Sequence, residues 1–217
     1  MPARLRPTAA IAADAVLVGD PTRALLLAQE LLEQPKMSNH ARGLWGYSGA
    51  TPAGDALTLQ STGMGGPSAA LVLADLAELG VKRAIRVGTC TALDPEPRLG
   101  ALLVIAEAHA QPSAGEPTAV LPDPALTAAL EAELGTAAGR AAVASLDRLP
   151  QLTEEVTAGE VADMQTATLL AGGPGLGVEV AALLIVTGTR GGERLEDEAV
   201  EVAAKRAGRA AAAVLSG

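Results

Sequence analysis

Arg23 and Arg86 stand out in a chain built mainly from alanine, leucine and valine. Arg23 falls in the first turn of the helix that follows "VGDP" (18–21), beside free backbone N–H groups and the positive end of the helix dipole. That setting suits an anion, although a solvated helix arginine fits the same position. Arg86 lies between Ile85 and Val87 in an apolar strand. A buried guanidinium needs a paired anion, which is either an internal carboxylate or a bound ligand. Thr89 adds a hydroxyl just past the strand end, where open α/β sheets hold their ligands. Arg42, in the glycine-rich "NHARGLWGYSG" (39–49), says little by itself. "STGMGGPSAA" (61–70) sets three glycines and a proline before a long apolar stretch. It is either a cradle for a ligand or a tight strand-to-helix turn.

Other reactive groups form no constellation. His40 and His109 have no second group at acid–base spacing, and His109 reads as a solvated loop residue. Cys90 reads as a small buried filler rather than a nucleophile. No Cys/His cluster has metal-ligand spacing, so no metal is expected. Asp14, Asp75 and Glu78 read as capping and surface charges.

Alternating strands and helices must position these residues. "DAVLVGDPTRALLLAQELLEQ" (14–34) predicts a buried strand, a turn and a helix, with Asp20 as N-cap and Pro21 at the first helical position. "LWGYSGAT" and "DALTLQST" predict paired strands. "PSAALVLADLAELG" (67–80) predicts a helix packed on a sheet, with Asp75 and Glu78 on one exposed edge and Gly80 as its C-terminal cap. "RAIRVGT" (83–89) and "ALLVIAEA" (101–108) are further strands. Residues 107–124 form the longest expected loop. A helix at 124–134, a strand near "AAVASLD", a helix at 163–172 and a strand at 180–188 follow. The last segment begins acidic and ends basic, with Glu201 and Lys205 spaced for an i,i+4 pair. The pattern implies an α/β fold: one domain over 1–217 with a central mixed β-sheet flanked by helices, a three-layer sandwich.

Composition narrows the classes. Aromatic residues are 1% of the chain, so a ligand pocket has few rings for stacking. A net charge of −9 argues against nucleic acid or an anionic membrane as partner. The single cysteine excludes an intrachain disulfide and suits a reducing compartment. The amino-terminal residues make a poor signal peptide, and no apolar run approaches the roughly 20 residues of a membrane span. A cytoplasmic location is the expectation.

The set "VGDPTRA" (18–24), "ARGLWGYSG" (41–49), "STGMGGPSAA" (61–70) and "GVKRAIRVGTC" (80–90) resembles the purine nucleoside and uridine phosphorylase superfamily. It is most similar to the bacterial hexameric purine nucleoside phosphorylases. The motifs keep their order over about the first 105 residues. The resemblance implies the three-layer fold and phosphorolysis of a purine nucleoside, giving free base and pentose 1-phosphate. It implies no cofactor, with inorganic phosphate as co-substrate. Gly19, Arg23, Arg86 and Thr89 would bind phosphate, and Arg42 would reach in from a neighbouring subunit. The glycine turn would face the nucleoside, with Met64 against the sugar. A homo-oligomer follows, a dimer at least and a hexamer in full.

The second half departs from that pattern. Family members open a helix with Glu-Met-Glu, whose second glutamate binds the ribose hydroxyls; the corresponding residues here are Asp163, Met164 and Gln165. A Ser-Asp or Ser-Asn pair contacts the leaving base, where this chain has Thr187 and Gly188. The base-stacking aromatic falls on Leu149. Gly188 has no side chain to donate a proton, so Arg190 is the nearest substitute, as a hydrogen-bond donor to a base leaving as an anion. Such help favours a 6-oxopurine. Arg86 and Arg190 are the catalytic expectations. Uridine phosphorolysis, or a divergent homologue that binds phosphate or nucleoside without turnover, are the alternatives.

Overall fold

The computed structural model describes residues 4–111, 118–148, 156 and 158–217. The elements in chain order are β1 (Asp14–Val18), α1 (Pro21–Leu31), β2 (Glu33–Asn39), a 3-10 turn (Ala41–Gly43), β3 (Gly46–Ala50), β4 (Ala56–Ser61), α2 (Gly65–Glu78), β5 (Arg83–Ala92), β6 (Leu102–Gln111) and β7 (Thr118–Val120). Then come α3 (Pro124–Leu134), a second 3-10 turn (Gly135–Ala137), β8 (Gly139–Leu146), β9 (Val161–Asp163), α4 (Thr166–Leu176), β10 (Glu179–Thr189) and α5 (Asp197–Leu215).

Period-two alternation decides which helix each strand residue meets. Val16 and Val18 of β1, with Ile85 and Val87 of β5, enter a core shared with α1, α3 and α5. Ala15, Leu17 and Ala84 point the other way, into a core shared with α2 and α4. Arg86 has the parity of Ala84, so the strand aims it at the α2/α4 layer. The sheet runs β10-β6-β8-β9-β5-β1-β4-β3-β2, with β7 beside β6. An additional β10–β5 pairing closes β5, β10, β6, β8 and β9 into a ring. The mixed sheet is thus partly a barrel, which strand periodicity could not disclose.

Local signals behave as their chemistry dictates. Asp20 caps α1, accepting from the amides of Thr22 (2.5 Å) and Arg23 (3.1 Å), with Pro21 in the first turn. Gly80 follows α2 at φ +103°, a conformation that favours glycine. The first helix stops at Leu31, and Glu33–Asn39 continues as an edge strand that its polar sequence hides. Much of the expected 107–124 loop is strand: β6 runs to Gln111 and β7 pairs with it. His109 therefore sits in β6, its side chain 3.8 Å from Glu107. The helix expected at 163–172 begins at Thr166 and continues through Pro174.

Three charge assignments change. Asp75 is buried, accepting from the amides of Arg4 (2.6 Å) and Leu5 (2.7 Å) and pairing with the Arg4 guanidinium at 3.2 Å. Asp14 receives a forked pair of bonds from Arg83, at 2.7 and 2.9 Å. Lys205 lies 3.8 Å from Glu30 across the α1–α5 contact instead of pairing along its own helix with Glu201.

Candidate active site

β1, β5 and β10 run parallel, and the site lies where their carboxyl ends meet the openings of α1, α2 and α4. A cavity of about 590 Å³ is lined there by Gly19, Arg23, Met64, Arg86, Thr89 and Gln165, among others. Its size is within the range of about 300–1,000 Å³ usual for small-molecule sites.

Arg86 is buried, and all three nitrogens of its guanidinium have partners at the start of α4. Nε donates to Thr166 Oγ1 (3.0 Å), Nη1 to Gln165 Oε1 (2.8 Å) and Nη2 to Asp163 Oδ2 (2.9 Å). An internal carboxylate therefore satisfies the charge, resolving the choice that the sequence left open. Three of five N–H groups are used, so two remain to meet a ligand. Asp163 is held in turn by Ser145 Oγ (2.5 Å), Thr166 Oγ1 (2.6 Å) and the Thr166 amide. Asp163 and Ser145 thus take the first two amides of α4, those of Thr166 and Ala167. Gly88 makes the arrangement possible: a Cβ there would stand 2.6 Å from Arg86 Cζ and Nη2.

Gln165 joins this cluster to the glycine turn. Oε1 accepts from Arg86 and from Thr62 Oγ1 (3.0 Å), while Nε2 donates to Gly63 O (2.5 Å) and more weakly to Gly65 O (3.4 Å). Gly63 and Gly65 sit at φ +73° and +79°, which explains the glycines of the sequence. The turn opens α2, whose N-cap Met64 supplies no side-chain bond and is 90% exposed on the cavity rim.

Arg23 differs from Arg86. It is half-buried, and among the described residues no carboxylate oxygen lies within ion-pair distance of its guanidinium. Burial lowers its pKa, Asp20 opposes the shift, and the nearby charge of Arg86 adds to it. Two cations thus face one cavity; Asp163 is bonded to Arg86 alone, and Asp20, the other carboxylate of the lining, caps α1. Cys90 also lines the cavity, but its thiol is buried, donates to Ile185 O at 3.5 Å, and is pushed up by desolvation, which keeps it protonated.

The remaining expected residues fall elsewhere. Asp163 and Met164 line the cavity, although Asp163 spends its oxygens on protein donors. Thr187 lines it beside a register irregularity in the β10–β5 pairing, whereas Gly188 does not. Arg190 is exposed outside the lining, its amide bonded to Ala92 O at 2.8 Å. Arg42 is exposed at φ +59° and also lies outside this cavity. Leu149 lies outside the described residues. Ser145, Thr62, Thr166 and Gly88 were missed by sequence reading; only Gly88, two places after Arg86 on the same strand face, carried a signal that could have found it. Among the described residues, no three metal-ligating side chains cluster.

The fold and site define an α/β protein with an arginine-lined cavity at its strand ends. The family model described as Phosphorylase superfamily matches residues 14–217, and the chain belongs to that family. The DeoD-type purine nucleoside phosphorylase of Oceanobacillus iheyensis is 44% identical over 87 residues, 40% of this chain and 37% of that relative. The DeoD-type enzyme of Caldanaerobacter subterraneus is 39% identical over 95 residues, 43% of this chain and 40% of the relative. The matched stretch thus spans about two fifths of the curated relatives. The purine nucleoside phosphorylase of Toxoplasma gondii, solved with immucillin-H, superposes with a TM-score of 0.82 over 95% of this chain and 91% of its own, at 21% identity.

Proposed function

We propose that the protein catalyses phosphorolysis of a purine nucleoside. The observation that carries the reading is the convergence of Arg23, without a carboxylate partner among the described residues, with Arg86 and Thr89 on one cavity. Phosphate held there attacks the anomeric carbon of the pentose. The carbon–nitrogen bond breaks, its electron pair leaves with the base, and a pentose 1-phosphate forms. Fixed guanidinium charges hold the nucleophile beneath a sugar that develops cationic character. Gly19 lets the backbone come close to the anion, and Met64 covers the sugar side. Purine as the base rests on the names of the curated relatives. The proposal includes a homo-oligomer, a hexamer in full, in which Arg42 completes a neighbour's phosphate site, and a cytoplasmic location. It uses inorganic phosphate and no cofactor.

A second reading is a homologue that binds phosphate or nucleoside without turnover. The bonding of Gln165 to Arg86 and to the glycine turn favours it. Phosphate-dependent release of base from inosine, guanosine, adenosine and uridine separates the readings. Turnover of inosine and guanosine is expected. No turnover of any of the four supports binding alone, and preference for uridine replaces the purine assignment.

A further inference from the structure

We propose that Gln165 is a positioning residue that locks Arg86 and the Gly63–Gly65 turn into one rigid unit, and that it makes no contact with the sugar. Resting on the phosphorolysis reading, this assigns the side chain a role in presenting the phosphate-binding arginine.

The hydrogen-bond inventory carries the argument. A primary amide offers two donors and two acceptor lone pairs. Oε1 accepts from Arg86 Nη1 at 2.8 Å and lies 3.0 Å from the Thr62 hydroxyl, whose single proton is shared between Oε1 and Val18 O at 3.1 Å. Nε2 faces two carbonyl oxygens, Gly63 O at 2.5 Å and Gly65 O at 3.4 Å. The orientation of the amide is fixed, because a guanidinium N–H must meet oxygen and a backbone carbonyl must meet N–H. A sugar hydroxyl would have to compete for Oε1 with Arg86 and with the Thr62 hydroxyl. The side chain is 3% exposed, and its Oε1 lies 3.8 Å from where a Cβ on Gly19 would stand. Strand β5, the turn before α2 and the loop after β1 therefore meet at one amide. A carboxylate at this position could keep the bond to Arg86, but it would face two carbonyl oxygens without a proton to share.

The test uses three proteins: wild type, Gln165→Leu and Gln165→Glu. Hydrogen exchange of the first hydrogen-bonded amides of α2, 69–71, is measured without ligand, and binding of inorganic phosphate is measured without nucleoside. In Gln165→Leu, faster exchange and about ten- to hundredfold weaker phosphate binding are expected, the usual range for losing a bond to a charged group. A sugar-contacting residue would leave both readouts unchanged, and that result overturns the proposal. Gln165→Glu keeps an acceptor for Arg86 but offers Gly63 O no proton, so faster exchange at the start of α2 is expected for it as well. Wild-type exchange in this variant counts against the proposal, and it decides the matter if Gln165→Leu fails to fold. If wild type itself does not bind phosphate, the phosphorolysis reading fails, while exchange at the start of α2 still decides the role of Gln165.

Discussion

Arg86 and Arg23 bring the same charge to the cavity under opposite conditions. Arg86 is neutralised by Asp163 at 2.9 Å, with both side chains almost fully buried. Arg86→Met would leave that carboxylate buried without its cation, a loss of about 3–5 kcal/mol. Arg23 has no such partner among the described residues, and burial already disfavours its charge. Arg23→Gln is therefore expected to leave the melting temperature of the ligand-free protein unchanged or slightly raised, while abolishing the rise that phosphate gives wild type by mass action. Thermal melts with and without phosphate check both variants. A phosphate response that survives Arg23→Gln would remove Arg23 from the site. The sequence showed Arg86 as a buried cation, but its flanking apolar residues are equally compatible with an internal carboxylate and a ligand. The partner lies 77 residues away.

At the scale of elements, the N-terminal segment is fastened to α2 by one carboxylate. Asp75 accepts from two consecutive amides, those of Arg4 and Leu5, and so holds Leu5 in the α2/α4 core at 1% exposure. Asp75→Ala would strip those amides of their acceptor and free Leu5. The expected loss is about 3 kcal/mol, or roughly 6–12 °C in melting temperature for a chain of this size. Proteolysis should then begin upstream of Asp14. A melting temperature within 1–2 °C of wild type, on the order of a surface substitution, would refute the anchor. Helical periodicity set Asp75 beside Glu78 on an exposed edge because the covering segment comes from another part of the chain. The helices α1, α3 and α5 were legible for the opposite reason, since caps and apolar spacing act within a few residues. The strands β2, β7 and β9 were not, because edge or very short strands carry little apolar alternation.

For the whole molecule, assembly is the open consequence. Arg42 sits in a loop supported by two buried amides, Asn39 Nδ2 bonding Ala41 O and Leu44 O, and Gln60 Nε2 bonding Leu44 O at 3.0 Å. Trp45 and Tyr47 belong to the α1/α3/α5 core, so the loop has a fixed base. If Arg42 serves a neighbour, Arg42→Ala and Arg23→Gln are each inactive alone, yet co-expressed chains should regain up to about a quarter of wild-type activity, because half of randomly paired dimers hold one intact site of two. No recovery would place Arg42 outside any shared site. The sequence by itself determined the helices and the longer strands in their order, the helix caps, the left-handed glycines and the motifs that mark the family, all of which depend on neighbours in the chain or on local backbone geometry. Only the tertiary structure decided that the sheet closes through β10–β5, that Asp163 neutralises Arg86, that Asp75 is interior and that Gln165 bonds both Arg86 and the glycine turn. Each of these depends on a contact between residues far apart in sequence, and a side chain's type does not reveal which distant partner the folded chain will bring to it.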